Sequence, residues 1–411
     1  MRKIFASIDI GTNEIKIIVI EHYNDRYNVL ASASFKSSGV KKGLIVDAAL
    51  VSSAIKKAMQ SVEAKLGTKI DKVVAIIPSN NMEINMAMGE IEITSEDKLI
   101  TGEDIFACMQ NSLKNSISKE LEVVTVTAIE YRIDKERKVK NPLGLEGTNL
   151  EVKAIVTTVP KKNVYSVVSI LHELNIEVMD VCISSISDYY VVKTKELDNK
   201  IVAMVNIGKD KTNIGIFNKG IIIKDSILPV GASSIEDDIS FTYKVDKEIA
   251  INIKEKFAAS NRKYADSSEV YECKNRLDEN IKINQYKLAE LIETRIVDLL
   301  KSIKIEINSL TNREIGYIMI TGSITSMLGF NAIVEDLFVR DVSIVNIGIL
   351  GIRNNKFSSS YGIIKYFIEK LDLREKDYTM FQNEKIEEIL STRKKTGKSG
   401  VVAKIFDKIF D

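Results

Sequence analysis

Two stretches about half a chain apart share one pattern, and this internal repeat constrains the fold more than any other feature of the sequence. Residues 4–20 and 201–217 are both β-branched, apolar runs interrupted by a polar turn that contains glycine. When the two runs are aligned, Asp9 falls on Asn206 and Gly11 falls on Gly208. Apolar runs around such a turn are typical of β-hairpins. The chain is therefore predicted to have two similar halves, each opened by a hairpin.

Each half continues with alternating helical and strand patterns, which favour a layered α/β fold. Residues 47–66 have apolar side chains at helical spacing, and Asp47 is expected to be the N-cap of this helix. Residues 72–78 form a short apolar run typical of a buried strand. In the second half, residues 288–303 predict a helix and residues 341–350 predict a strand.

Changes in residue pattern and composition along the chain predict its division into domains. Residues 84–159 alternate apolar and polar side chains in several strands around one helix near 104–118, as expected of an inserted α+β subdomain. Residues 233–310 are rich in Lys and Glu and are predicted to be mostly helical. The predicted units are a first lobe (1–83 and 160–197), the insert (84–159), a second lobe (198–231 and 317–375), a helical subdomain (232–316), a linker (376–398) and a terminal amphipathic helix (399–411).

The composition excludes several functional classes. The 411 residues include 58 Lys and Arg against 57 Asp and Glu, and this net charge of +1 argues against a nucleic-acid-binding protein. Three widely spaced cysteines form no disulfide framework, and two histidines are too few for a multi-histidine metal site. No apolar run reaches the length of a membrane span. We therefore expect a cytoplasmic protein that meets a membrane only peripherally.

The turn after Asp9 carries the clearest chemical signal. Gly11 allows a close backbone approach, and Thr12 and Asn13 add polar side chains, so this turn is suited to binding a phosphate group. Asp9 ends the strand, where its carboxylate could hold a hydrated Mg²⁺. An ordinary β-turn would have the same composition, but the second copy at residues 206–212 makes a pair of phosphate loops the better interpretation.

A pair of phosphate hairpins facing each other across a cleft resembles the actin/Hsp70/sugar-kinase superfamily. Residues 318–323 are similar to the strand and glycine turn that this superfamily places near adenosine. Within the superfamily the chain resembles the FtsA family of bacterial division proteins, over residues 4–370 and the tail. The segments that carry this resemblance are 39–45, 141–145, 229–232 and 350–353.

The resemblance implies an actin-like two-lobed α/β fold with an inserted α+β subdomain. It also implies an ATP-binding, polymerising adaptor that tethers FtsZ filaments to the cytoplasmic membrane, with the C-terminal tail of FtsZ bound by the helical subdomain. Mg²⁺ would be held by Asp9 through water. The nucleotide site would comprise Asp9, Gly11, Thr12, Asn13, Asn206, Gly208, Lys209, Thr212, Gly231, Gly322 and Ser323.

Several positions depart from the family pattern. Asn206 stands where the second hairpin of the family usually has an Asp, and Asn213 replaces the later Asp. An amide cannot replace a carboxylate in binding a metal or in orienting an attacking water. Lys209 stands where a glycine is expected and could supply positive charge instead. We therefore expect weak or absent ATP hydrolysis, with no catalytic residue.

The last eleven residues predict an amphipathic helix. At 100° per residue, the apolar side chains of this segment fill one half of the circumference and the charged ones fill the other. Six basic residues against two acidic ones give residues 391–411 a charge of +4. Such a helix could bind an anionic membrane surface or dock on protein, and its terminal position favours the membrane. The predicted membrane contacts are Val401, Val402, Lys404, Ile405, Phe406, Lys408, Ile409 and Phe410.

Two other classes remain as alternatives. A kinase or phosphatase of the same superfamily would need an acid or base in the cleft, and Asn206 removes the obvious candidate. A different actin-like scaffold, such as a pilus-assembly or rod-shape protein, needs no catalyst. The insert and the tail argue against the rod-shape protein, whereas a pilus scaffold shares the insert and differs in what it binds.

Overall fold

The computed structural model describes residues 2–114, 117–338, 341–382, 384–386 and 389. Its strands are β1 (Lys3–Ile10), β2 (Glu14–Tyr23), β3 (Arg26–Lys36), β4 (Val40–Lys41), β5 (Leu44–Ile45), β6 (Lys72–Ile77), β7 (Glu83–Glu92), β8 (Leu121–Ile133), β9 (Arg137–Val139), β10 (Asn149–Pro160), β11 (Glu177–Ile183), β12 (Ile201–Ile207), β13 (Thr212–Asn218), β14 (Ile221–Leu228), β15 (Val270–Lys274), β16 (Asn280–Asn284), β17 (Tyr317–Thr321) and β18 (Val342–Ile344). Its α-helices are α1 (Ala48–Leu66), α2 (Gly102–Asn111), α3 (Lys161–Glu173), α4 (Ser184–Val192), α5 (Ser233–Tyr243), α6 (Lys247–Lys256), α7 (Gln285–Leu310), α8 (Phe330–Phe338) and α9 (Ser358–Leu373).

The two halves contain sheets of the same topology, which confirms the predicted repeat. In the first lobe the strand order is β3-β2-β1-β6-β11, and in the second it is β14-β13-β12-β17-β18. In each sheet an antiparallel three-stranded meander is followed by two strands parallel to the first. Strands β1 and β12 are almost entirely buried because they lie inside their sheets and are covered on both faces.

Helix α1 shows how local sequence determines an element of the first lobe. The Asp47 side chain accepts a hydrogen bond from the backbone N–H of Leu50 at 3.0 Å, so Asp47 is the N-cap as predicted. The helix ends at Gly67, which adopts the left-handed conformation with φ of 76°. A buried stripe that includes Val51, Ile55 and Val62 faces β2 and β3.

The insert is a separate small unit, as predicted. Its antiparallel sheet has the order β7-β10-β8-β9, and α2 covers one face of this sheet. The core between them contains Ile105, Cys108 and Tyr131. Helix α2 begins with a capping box between Thr101 and Asp104 and ends at Asn111, earlier than the predicted 104–118.

The subdomain at 233–310 contains a β-hairpin that was not predicted from the sequence. Strands β15 and β16 pair between α6 and α7. Both strands have only five residues, and each turns one face to solvent while Tyr271, Ile281 and Ile283 pack on the core of the second lobe. The alternation is too short to stand out from the helical patterns on either side. The predicted helix at 288–303 is longer than expected and forms α7. The predicted strand at 341–350 is shorter in the structure and forms β18, which ends at Ile344; Gly348, with φ of 66°, lies in the irregular segment that follows.

Helices α4 and α9 cross between the two sheets. Helix α9 packs on β1 and β6, so residues from Ser358 onward belong to the first lobe and not to the second, where the prediction of 317–375 had placed them. A Cβ atom on Gly362 would lie only 1.6 Å from the backbone oxygen of Ser187 on α4. The helices therefore approach as closely as their backbones allow, and this crossing requires glycine.

The segment after α9 returns to the first lobe. The backbone N–H of Met380 donates to the oxygen of Ile4 at 3.0 Å, and the N–H of Ile4 donates to the Thr379 hydroxyl at 2.9 Å. Met380 and Phe381 are buried. The first residues of the predicted linker at 376–398 are therefore part of the folded lobe. The predicted amphipathic helix at 399–411 lies outside the described residues.

The substitution Gly362→Ala should destabilise the protein strongly, because its methyl group can fit only if α4 and α9 move apart. We expect a loss of at least about 3 kcal/mol in the free energy of unfolding, measured by urea denaturation. Gly67→Ala is the control: a Cβ atom there meets nothing within 4 Å, so the expected loss is only about 1 kcal/mol of left-handed strain. Equal losses in both variants would contradict the close crossing.

Candidate functional site

The two hairpin turns, at residues 11–14 and 208–211, face a common cleft between the lobes. The N–H of Gly11 donates to the oxygen of Glu14 at 3.1 Å, and the N–H of Gly208 donates to the oxygen of Lys211 at 3.0 Å. The repeat therefore extends to the hydrogen bond that closes each turn. The backbone N–H groups of the two residues inside each turn take no part in this closure, so they are candidates for binding an anion.

Two glycines support the second turn from behind. A Cβ atom on Gly231 would lie 2.5 Å from the backbone oxygens of both Gly208 and Lys209. A Cβ atom on Gly322 would lie 2.2 Å from the oxygen of Ile207, and Gly322 has φ of 112°. Only residues without a side chain allow these backbones to approach so closely. These glycines position the turn, whatever else they contact.

The structure brings most of the predicted site residues to the cleft. Those that line it are Asp9, Gly11, Thr12, Asn13, Asn206, Gly208, Lys209, Gly322 and Ser323. Two do not. The Thr212 side chain is fully buried and donates to the backbone oxygen of Val230 at 2.8 Å, so its predicted contact with the ligand is wrong. Gly231 is also buried, and it acts by supporting the turn.

Asp9 forms an ion pair that was not predicted from the sequence. The Nζ atom of Lys16 lies 2.5 Å from Oδ2 of Asp9 and donates to the backbone oxygen of Lys356 at 3.1 Å. Burial opposes the charge of Lys16, but the adjacent carboxylate outweighs burial and raises the pKa of the Lys16 ammonium. Lys16 is the cross-strand partner of Asp9, so the hairpin register could have revealed this pair. A cation at Asp9 would have to share that carboxylate with Lys16.

The second hairpin contributes two lysines that reach across to the first lobe. The Nζ atom of Lys209 donates to Oδ1 of Asn13 at 3.1 Å, and that of Lys211 donates to Oδ1 of Asn80 at 3.2 Å. Burial lowers the pKa of Lys211 to about 8, although nearby Asp225 opposes the shift. Both lysines therefore link the lobes through neutral amide oxygens and retain capacity to donate to an anion.

A buried carboxylate lies behind the second hairpin. Asp188, on α4, accepts hydrogen bonds from Nδ2 of Asn206 at 2.6 Å and from Oγ of Ser359 at 2.9 Å. Burial raises the pKa of Asp188 to about 6, and the hydrogen bonds from these neighbours moderate the shift. Asp188 was not predicted as a site residue. Its position in a short helix of mixed composition carries no signal that it would meet Asn206.

The cleft has a less polar corner beyond the hairpins. Between α6 and the turn after β17, the cleft is bordered by Phe257, Ala258, Met327 and Leu328. Glu236 on α5 pairs with Lys254 on α6 at this corner. The cleft has a volume of about 730 Å³. Such a cavity, with cations at one end and apolar side chains at the other, suits a ligand that joins a polyanion to a flat, partly apolar group.

The donor set does not form a dedicated metal cage. In the described part of the chain, no group of three or more His, Cys, Asp or Glu side chains is placed to hold a metal ion. Mg²⁺ commonly uses one or two carboxylates, with water and ligand phosphates completing its coordination. Asp9 is one of several acidic side chains that line the cleft, and its place at the end of β1 is compatible with that second kind of site.

Solved structures with the same architecture define the class of the protein. The chain is similar to the structure described as the PilM-PilN type IV pilus biogenesis complex, with a TM-score of 0.58 and 12% identity over 90% of this chain and 99% of that one. It is also similar to MreB 5 of Spiroplasma citri bound to AMPPNP, with a TM-score of 0.54 and 12% identity over 91% and 99% of the two chains. At this identity the likeness establishes the fold: the protein is actin-like.

Sequence comparisons establish the family. The profile described as "SHS2 domain inserted in FTSA" matches residues 80–158, and that described as "Cell division protein FtsA" matches residues 203–362. The cell division protein FtsA of Bacillus subtilis is 26% identical over 367 residues, which are 89% of this chain and 83% of that protein. The FtsA of Streptococcus pneumoniae is 26% identical over 86% of this chain and 78% of that protein.

The chain belongs to the FtsA family of cell division proteins. The two profiles together match more than half of its residues, and the relatives align over most of its length. The matched SHS2 segment coincides with the insert, so the predicted α+β subdomain is confirmed. No helix among the described residues has the length and apolar composition needed to cross a membrane.

The burial of Lys211 predicts a pH dependence of stability. Its pKa is about 8 in the folded protein, against an ordinary value of 10.5. Between these values the unfolded chain binds more protons at this residue, so its contribution to the free energy of unfolding increases with pH. Relative to Lys211→Met, the unsubstituted protein should gain on the order of 1 kcal/mol between pH 8 and 10.5 in urea denaturation. Exposed Lys224→Met is the control. A difference that stays constant with pH would contradict this burial.

Proposed function

We propose that the protein is an ATP-binding, polymerising adaptor of cell division that tethers FtsZ filaments to the cytoplasmic face of the membrane. One observation carries the nucleotide part of this proposal: two turns closed by the same hydrogen bond face one cleft of about 730 Å³. The actin-like structure of Spiroplasma citri MreB 5 is described as bound to AMPPNP in one case and ADP in another, which supports a nucleotide as the ligand here.

The residues of the cleft fit the phosphates and nucleoside of ATP. Gly11, Thr12 and Asn13 would bind phosphate oxygens from the first lobe, and Gly208 and Lys209 from the second. Lys16 would be drawn toward the phosphates while it remains close to Asp9. Gly322 and Ser323 would border the nucleoside beside the apolar corner.

Asp9 would hold Mg²⁺ through water, as an acidic group that accepts from metal-bound water molecules. The ion would supply positive charge that offsets the phosphate oxygens. The ion would share the Asp9 carboxylate with Lys16, whose Nζ atom lies 2.5 Å from Oδ2.

Hydrolysis should be weak. Asn206 carries an amide on the cleft wall, and an amide does not accept a proton from an attacking water. Asp188 lies behind that amide and is fully buried. Nucleotide binding would then act mainly on the angle between the lobes, because the ligand contacts both and favours the closed arrangement. The lobe angle in turn would decide whether the protein assembles into filaments.

The other partners are proposed by analogy with the FtsA family. The subdomain at 232–316 would bind the C-terminal tail of FtsZ, and a second copy of the chain would extend the filament. The segment at 399–411 would bind the anionic membrane surface with its apolar side chains, with Lys404 and Lys408 toward lipid headgroups. These contacts would place the protein at the division site, peripherally bound to the membrane. No nucleic acid is proposed as a partner.

One other actin-like role has specific support. The similarity to the PilM-PilN pilus complex, at a TM-score of 0.58, fits a scaffold of a different assembly. A pilus scaffold and a division adaptor share their fold and cleft, so they differ in partner. Binding of FtsZ filaments separates them, and turnover of ATP with a small acceptor would instead indicate a kinase or phosphatase.

Isothermal titration should detect binding of Mg·ATPγS, and Lys209→Met should weaken it about tenfold. The reason is loss of one charge-assisted hydrogen bond to phosphate. Among the residues that the structure describes, the Lys209 amine has no carboxylate within 4 Å, so the substitution leaves no acid unpaired. Lys162→Met, on the exposed surface of α3, changes the net charge equally and should bind normally. Absence of binding by the unsubstituted protein at millimolar ligand would overturn the site assignment.

Vesicle flotation tests the proposed link between FtsZ filaments and the membrane, with the protein, FtsZ and vesicles combined in one experiment. Anionic vesicles should carry FtsZ filaments to the top of a density gradient only when the full-length protein is present. Deletion of residues 399–411 should abolish this, as should removal of the FtsZ tail. The paired substitution Phe406→Glu with Phe410→Glu keeps the length of the chain and should also release it from vesicles. Flotation of the truncated protein would show that its membrane contact lies elsewhere.

A further inference from the structure

The second hairpin lacks the carboxylate that the first hairpin carries, and a buried carboxylate lies directly behind the vacant position. Asp9 and Asn206 occupy equivalent positions in the repeat, and their cross-strand partners are Lys16 and Asn213. A charged pair in one lobe is thus matched by two neutral amides in the other. Asp188, from α4, contacts the amide of Asn206 at 2.6 Å.

This contact determines which way the Asn206 amide points. A carboxylate only accepts hydrogen bonds, so the amide must turn its NH₂ group toward Asp188. The same nitrogen also lies 3.3 Å from the hydroxyl oxygen of Ser359. With Nδ2 engaged on that side, Oδ1 of Asn206 is left as the atom available to the cleft that this residue lines.

The Asp188 carboxylate cannot move away from Asn206 unless helix α4 breaks its other contacts. At the start of the helix, Ser184 accepts a hydrogen bond from Nδ2 of Asn213 at 2.9 Å, and Ser185 donates to Asp225 at 2.5 Å. One residue before Asp188, the oxygen of Ser187 lies against Gly362 of α9. The carboxylate is therefore held at the point where the helix crossing meets the second hairpin.

We propose that Asp188 is a positioning residue, which orients the amide of Asn206 so that the second hairpin offers a neutral oxygen acceptor to the phosphate end of the cleft. The inference rests on the proposed nucleotide site. It assigns the two residues as a matched pair: a carboxylate at position 206 would face Asp188 within hydrogen-bonding distance, and two like charges would be buried together.

A double-mutant cycle tests the pair. The proteins are Asn206→Asp, Asp188→Asn and the exchange variant that carries both substitutions. Asn206→Asp should lower the midpoint of thermal unfolding by roughly 5–10 °C at neutral pH, because of the facing carboxylates. In the exchange variant the amide at position 188 can donate to the carboxylate at position 206, so the hydrogen bond is restored in the opposite direction. Its midpoint should return to within about 2 °C of the unsubstituted protein, as expected for coupled residues.

The affinity for Mg·ATPγS separates positioning from stability. Asp188→Asn removes a buried charge, so its unfolding midpoint should stay the same or rise. The Asn206 amide can then present either end to the cleft, and we expect about tenfold weaker binding in isothermal titration. Asn213→Asp is the matched control: it adds the same charge on the neighbouring strand, beside Ser184, and Asp188→Asn should not rescue it.

Two results would overturn the proposal. In one, the changes in the unfolding midpoint of the two single variants simply add up in the exchange variant. In the other, Asp188→Asn binds Mg·ATPγS as tightly as the unsubstituted protein does. Failure of the unsubstituted protein to bind nucleotide would instead reject the nucleotide site, and the thermal cycle would still decide whether Asp188 and Asn206 are coupled.

Discussion

The crossing of α4 and α9 is the contact on which the rest of the structure depends. At Gly362 the two helices touch backbone to backbone, and a single methyl group would collide with the oxygen of Ser187. Helix α4 contacts strands of both sheets, and α9 packs on the first. The spacing of the crossing therefore sets the distance between the lobes. It also sets the width of the cleft and the position from which Asp188 reaches the second hairpin.

The cleft combines a symmetric backbone with asymmetric charge. Both turns are closed by the same hydrogen bond, and both strands that precede them lie at equivalent places in their sheets. The side chains differ: the first hairpin pairs Asp9 with Lys16, and the second pairs Asn206 with Asn213. Positive charge from Lys209 and Lys211 lies on the second side. This asymmetry underlies the proposal that an anionic ligand binds between the lobes and is hydrolysed only weakly.

Local sequence patterns predicted those elements in which the spacing of apolar residues matches the face that is buried. Helix α1 was predicted correctly, including its N-cap, because the cap and the apolar stripe both depend on residues that are close together in the sequence. The hairpin turns were predicted because their shape depends on Gly11 and Gly208 themselves. The strands β15 and β16 were missed because they are only five residues each: Ile281 and Ile283 alternate with polar residues and face the core, but so short a pattern is hard to recognise between two helices. The contact of Thr212 was predicted wrongly, because its hydroxyl turns toward Val230 on a neighbouring segment.

By itself the sequence determined the repeat, the insert and the family, since each of these is a pattern of residue types along the chain. Only the tertiary structure decided which polar groups meet. Asp9 and Lys16 are paired by strand register. Asp188 and Asn206 are 18 residues apart, and Gly362 lies more than 150 residues from both. The contact between α4 and α9 brings them together, and no spacing along the chain encodes a distance that depends on how two helices cross.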